Sequence, residues 1–217
     1  MTKNSYLQNM LVPVNGSRLS LQAEEVAVDL AKRFGSRVTV IHVVSHEVRH
    51  PYAAVGYKRF QLSESVQKEM EAMFLQKGEQ VLAEAKTFFG SENGPVETVL
   101  EEFVDPADAI LNLAQEKKSD LIIMGNHGEI EDLTLGGIAE KVSRHAKCSV
   151  LVVKKKSAFK KILVAVDGSK DSMKALDFAA EVSMKYNSEI TLLNVARTML
   201  PQIGKDTAKT MAERILS

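Results

Sequence analysis

The chain has 217 residues, 45% of them hydrophobic, with 28 basic against 28 acidic side chains. The apolar content is enough for a buried core rather than a disordered chain, and the balanced charge gives no global field to draw in DNA, RNA or an anionic membrane. A lone cysteine, Cys148, leaves no disulfide framework within the chain; the first nine positions are mainly polar, and no apolar stretch nears the roughly 18 residues of a membrane span, so a soluble cytoplasmic protein is expected.

Short runs rich in Val and Ile alternate with longer amphipathic stretches, the pattern of strands and crossover helices in a parallel sheet. Strands are predicted at about 9–14, 37–44, 96–103, 120–125 and 148–153, and helices at about 18–34, 62–89, 106–117 and 136–146. Runs such as LIIMG (121–125) and SVLVV (149–153) are apolar on both faces, which calls for helices on both sides of the sheet. Asp105 reads as an N-cap with Pro106 in the first helical position, and Gly35, Gly90 and Gly94 read as ends or separators of elements. The methionine-bearing stretch 62–89 reads as packing, and Cys148 as a small core residue.

The stretch KKKSA (154–158) reads as a linker, dividing the chain into 1–155 and 156–217. Beyond it a strand at 161–166, a helix at 170–186, a strand at 189–196 and a partial helix near 205–216 are predicted. This second part repeats the first: Met10–Val44 lies over Ile162–Ala196 without a gap, so that Gly16 stands to Gly168 as Val43 to Val195, 152 positions apart. The second copy offers a partial βαβ repeat without a phosphate loop or a final strand. Two strands and their helices are marginal alone, so the half-unit is expected to dock on the first domain or on another copy of the chain.

The strongest chemical signal is LIIMGNHGEIEDLTLGGIAEKVSRHA, where Gly125-Asn126-His127-Gly128 leaves a strand and Gly136-Gly137 opens a helix. Free backbone N–H groups at a helix start, without side chains in the way, suit an anion such as phosphate. Glycines also serve plain turns, but this loop and Asn15-Gly16-Ser17 both follow strands where an open parallel sheet takes its ligands. Among the five histidines, His127 is the candidate ligand contact because it lies between two of these glycines. His46 and His50 make a poor metal pair because Pro51 undercuts a helix there, so no metal site is expected. The segment 45–61 could form a flap over the site.

Taken in order, LVPVNGS, VTVIHVV, DPADAILNLAQEKKSDLIIMGNHG and GGIAEKVSRHAKCSVLVVKK make residues 6–155 resemble a universal stress protein domain, and 159–196 resembles the start of another. The resemblance implies a doubly wound open parallel five-stranded sheet, order 3-2-1-4-5, of the adenine nucleotide alpha hydrolase-like kind. It further implies a homodimer formed through the last strand and, in one branch, ATP binding without an established catalytic reaction. Adenine and ribose would then lie near Pro13, Asn15, Val43 and Gly125, and phosphates near Gly128, Gly136 and Gly137, with Mg²⁺ to offset the acids of the loop.

The match departs from that branch's G-2x-G-9x-G-(S/T) pattern in three places. Seven residues, 129–135, separate Gly128 from Gly136; Gly137 stands where a hydroxyl residue is usual; and the strand end carries Asn15, with the usual aspartate found instead as Asp167 in the second copy. Glu129, Glu131 and Asp132 add negative charge to the loop. Two readings stay open: a non-enzymatic, nucleotide-responsive stress protein, and an interaction or scaffold protein, not nucleotide-binding, whose half-repeat drives assembly. ATP hydrolysis is the weaker expectation, because no Walker-type G-x-x-x-x-G-K-[ST] appears.

Overall fold

The computed structural model describes residues 7–45, 63–126, 136–155 and 159–195. Internal contacts divide the chain into two units, 1–156 and 157–217. In the first unit five strands, β1 (Asn9–Pro13), β2 (Arg37–Ser45), β3 (Glu97–Val104), β4 (Leu121–Gly125) and β5 (Ser149–Val153), alternate with α1 (Arg18–Phe34), α2 (Glu64–Asn93), α3 (Pro106–Glu116) and α4 (Gly137–His145). All pairings are parallel and the order is β3-β2-β1-β4-β5, as the resemblance implies. The winding reverses between β1 and β4.

Alternation along the strands splits the core into two layers. Leu11, Ile41, Ile122 and Met124 point to one face and pack with Ala107, Ile110 and Leu113 of α3 and Ala139 and Val142 of α4. Met10, Val12, Val40 and Ile123, equally buried, point to the other face, where α1 and α2 lie. Cys148 is half-buried against the first layer, and burial pushes its thiol pKa up, as expected of a core residue rather than a reactive thiol.

Helix ends follow the predicted chemistry with one exception. Asp105 caps α3 by accepting the Asp108 N–H at 2.9 Å, and Gly35 ends α1 in the left-handed region at φ 68°. Gly90, however, does not end α2: the helix runs on to Asn93 and stops at Gly94, φ 86°. Nothing crowds Gly90, its φ is not positive, and Ser91 donates to the Phe88 carbonyl at 2.9 Å, so the helix continues across it.

The second unit contains β6 (Lys161–Ala165), α5 (Lys170–Tyr186) and β7 (Glu189–Leu193), with β6 and β7 parallel. Val164, Val166 and Ala179 are buried with Ile162, Leu176 and Ile190 packed around them. Alternation turns Leu163 and Leu193 to the opposite face of this two-stranded sheet, where they are 65% and 45% exposed. Their counterparts in the repeat, Leu11 and Ile41, are 0% exposed beneath α3 and α4. The predicted helix at 205–216 lies outside the described residues.

Candidate functional site

β1 leads into a turn held by side chains. Val14 N–H donates to the Ile41 carbonyl at 2.8 Å and extends the strand pairing by one residue. Gly16 then takes φ 73°, a conformation that favours glycine. Asn15 Oδ1 accepts the Ser17 N–H at 3.0 Å, and the Asn15 N–H donates to Ser20 Oγ at 3.1 Å. Ser17 Oγ caps α1 by accepting the Ser20 N–H at 3.2 Å. An amide at 15 therefore fills the local role open to an aspartate, without its charge.

On the other side of the reversal, β4 ends on Gly125 against the first turn of α1. A Cβ at 125 would lie 2.6 Å from the Leu19 carbonyl oxygen and 2.7 Å from its carbon, both backbone atoms. Only glycine fits there, so this residue sets the separation between β4 and α1. The next residue, Asn126, is 8% exposed: its N–H donates to the Val153 carbonyl at 3.0 Å, and its Oδ1 accepts the Gly136 N–H at 3.1 Å. Asn126 thus ties β4, β5 and the N-cap of α4 across the intervening segment. Gly136 is that N-cap, and Gly137 opens the helix with nothing within 4 Å of a Cβ placed on it.

The strand register brings these features to one edge. Pro13 pairs with Ile41, and continuing that register sets Asn15 level with Val43 on β2. Leu11 pairs with Ile122, which sets Val14 level with Gly125. Pro13, Asn15, Val43 and Gly125 therefore share the carboxyl edge, with Gly136 tied to it through Asn126 and Gly137 following. Val43 itself packs against the core layer beneath α3 and α4. His127 and Gly128, the acids Glu129, Glu131 and Asp132, all of the flap expected over 45–61 except Ser45, and His46 and His50 lie outside the described residues. His145 is in the last turn of α4, where its Nδ1 meets the Lys141 carbonyl at 2.8 Å.

Two titratable groups lie behind the turn. His42 Nδ1 is 2.7 Å from the Val14 carbonyl, a bond that requires the hydrogen on Nδ1; burial lowers the ring's pKa, against the pull of that bond, and the Lys77 charge lowers it further. Glu24, on α1, is 3% exposed and accepts a hydrogen bond from Ser20 Oγ at 3.1 Å. Removal from water pushes its carboxyl up to about 7; the Ser20 bond opposes that shift, and Glu84 on α2 adds to it. Sequence reasoning gave no role to Ser20, Glu24 or Asn126. The available signals were an acid in the apolar stripe of α1, a serine repeated at 20 and 172, and an amide between two strand-end glycines.

Two strand-to-helix turns converging where the winding of an open parallel sheet reverses define the class of α/β proteins that take ligands at the carboxyl edge. The model of the Universal stress protein family matches residues 7–154 and again 158–215, and the chain belongs to this family. Among its relatives, Universal stress protein MJ0531 of Methanocaldococcus jannaschii is 32% identical over 150 residues, 68% of this chain and 82% of the relative. Universal stress protein YxiE of Bacillus subtilis is 30% identical over 149 residues, 67% of this chain and 97% of the relative. Among solved structures, a universal stress protein from Archaeoglobus fulgidus superposes with a TM-score of 0.72 at 22% identity, covering 98% of this chain and 74% of its own. Universal stress protein UspA of Lactobacillus plantarum gives a TM-score of 0.57 at 22% identity, over 70% of this chain and 100% of its own. These structural likenesses show the fold.

Proposed function

We propose that this protein is a non-enzymatic, cytoplasmic regulator of the stress response that binds an adenine nucleotide, ATP with Mg²⁺ first, at the carboxyl edge of its five-stranded sheet. The observation that carries the reading is the convergence of the Asn15–Ser17 turn with the Gly125–Asn126–Gly136 bridge at the reversal of winding. Pro13, Asn15, Val43 and Gly125 would hold adenine and ribose. Gly136 and Gly137, with His127 and Gly128, would meet the phosphates at the positive end of α4. The hydrogen bonds at this edge orient backbone and position helices, which suits binding.

Equilibrium titration with ATP and Mg²⁺ tests it through position 137, where a new side chain meets open space. Gly137→Ser restores a hydroxyl donor and is expected to tighten binding; Gly137→Asp leaves the fold intact but sets a carboxylate against the phosphates and is expected to abolish it. Absence of saturable binding by the unmodified protein at millimolar nucleotide would sink the reading.

A second reading is favoured by the open apolar face of the second unit, where Leu163 is 65% exposed while its counterpart Leu11 is fully covered. There the second unit is a contact element for a further copy of the chain, in a dimer, or for a protein partner. Leu163→Asp combined with Leu193→Asp should then lower the mass measured by light scattering, and an unchanged oligomer would count against self-association through this face.

A further inference from the structure

The two strand-to-helix turns are near copies that differ in where they keep a carboxyl group. In the second unit Asp167 stands at the strand end, and position 176 is a leucine packed into the small core. In the first unit the strand end is Asn15, and the position aligned with Leu176 is Glu24, buried behind the turn. The serine between them differs accordingly. Ser172 accepts the Asp167 N–H at 3.3 Å and donates to the Ser169 carbonyl at 3.0 Å. Ser20 accepts the Asn15 N–H at 3.1 Å but donates to Glu24 Oε1, also at 3.1 Å. One hydroxyl thus joins a buried acid to the backbone of the turn, a link the second unit lacks.

We propose that Glu24 is a positioning residue for the carboxyl-edge site, acting through Ser20 on the Asn15–Ser17 turn, and that binding of a phosphate-bearing ligand there is coupled to uptake of one proton by Glu24. The coupling rests on the reading of this edge as a nucleotide site. An ionised Glu24 has little water around it, and its hydrogen bond from Ser20 is charge-assisted and short of competitors. A phosphate bound at the α4 end of the same edge brings a second negative charge to the site, which favours the protonated form of the acid. By linkage the protonated form then favours the phosphate to the same degree.

The surroundings leave few other groups to carry such an effect. α1 packs on β1, β4, β5 and α2. β1 (NMLVP), β4 (LIIMG) and β5 (SVLVV) carry no titratable side chain. On α2, Glu84 acts on Glu24 with the same sign as the ligand, and Lys77 acts on His42 of β2, whose ring is bonded to Val14. α1 itself adds Arg18, Glu25, Asp29, Lys32 and Arg33; Asp29 pairs with Arg33 and Lys32 with Glu92.

Backbone amide NMR of the ligand-free protein between pH 5.5 and 8.5 tests the positioning role. The Asn15 and Ser17 amides should titrate together in the unmodified protein and stay flat in Glu24→Gln. In Ser20→Ala, which keeps the acid but cuts the relay, Glu24 should still titrate while Asn15 no longer follows. Calorimetry with ATP and Mg²⁺ in two buffers tests the coupling. Glu24→Gln should lose a substantial fraction of the proton taken up at pH 7, and the pH 6 over pH 8 affinity ratio should fall on the order of tenfold. The titration of the nucleotide itself is common to both proteins and cancels in the comparison. Saturable binding with equal proton uptake and flat amides in both proteins would overturn the inference and leave the nucleotide site standing. Titrating amides that Glu24→Gln silences, without saturable nucleotide binding, would overturn the coupling and the site reading while leaving the positioning role in place.

Discussion

Glu24 and Gly125 are placed in the same corner of the fold, and opposite physical constraints hold them there. Glu24 is a carboxyl group in a position where the repeat elsewhere uses leucine, and its pKa rises from 4.5 to about 7 on burial. The sign of its effect on stability follows. Below 4.5 the acid is protonated whether the chain is folded or not and contributes no penalty; between 4.5 and 7 the folded state holds the proton more tightly; above 7 the folded state must bury a charge. Stability is therefore fully present below 4.5 and is lost as pH rises from there through the folded value near 7, by about 3 kcal/mol in all for a shift of this size. Urea unfolding of Glu24→Gln should match the unmodified protein near pH 5 and exceed it by roughly 2–3 kcal/mol at pH 8. Gly125 is constrained by backbone rather than charge: a methyl group there meets the Leu19 carbonyl, which cannot swing aside as a side chain would. Gly125→Ala should cost about 1–3 kcal/mol in the same assay, the range for overpacking, whereas Gly137→Ala, facing open space, should leave β4 and α1 undisturbed.

At the scale of elements, strands and helices were legible because each announces itself locally. Val- and Ile-rich runs bounded by turns gave every strand of the sheet, and Asp105-Pro106 gave the start of α3, since a cap and a fixed φ act within a few residues. Gly90 misled because a glycine weakens a helix without ending it; the stop required the positive φ of Gly94, which sequence does not display. The ligand edge was legible as glycines after strands, but its supporting bonds were not. Asn126 to Gly136 spans ten positions, and Glu24 matters only because folding buries it within reach of the Glu84 charge on α2, so both depend on folded distances. The cap of α3 also serves a long-range purpose, because Lys141 on α4 bridges Asp105 at 3.1 Å and Asp108 at 2.8 Å. Asp105→Ala should therefore cost about 1 kcal/mol for the cap, with a smaller addition for the exposed ion pair. The Asp108 N–H bond first, and then Lys141, holds the Asp105 pKa below its ordinary 3.8. Its contribution is present above that value and fades as pH falls through the depressed folded one, so the deficit of Asp105→Ala measured at pH 6 should shrink in strong acid.

For the whole molecule, repetition of sequence has not produced repetition of cover. In the first unit both faces of the sheet are covered, and Leu11, Ile41 and Ile122 are fully enclosed between helices. Among the described residues of the second, Val164, Val166, Ala179 and Val182 are buried, Ile162, Leu176 and Ile190 pack against the first three, and Leu163 and Leu193 are exposed. At about 25 cal/mol for each square ångström of apolar surface withheld from water, the difference in cover favours the first unit by a wide margin. The described part of the second unit, a two-stranded sheet with one helix, is also near the lower limit of independent stability. Amides of β6 and β7 are therefore expected to exchange with solvent through openings much smaller than global unfolding, while those of β1, β2 and β4 exchange only near the global limit. Hydrogen exchange followed by mass spectrometry separates the two sets of peptides. The experiment also reads the second function proposed above, because contact between copies stabilises by mass action. If copies of the chain cover the open face, protection of 161–165 and 189–193 should rise with protein concentration, and the rise should vanish when Leu163 and Leu193 are both replaced by aspartate. Protection independent of concentration would remove self-association through this face.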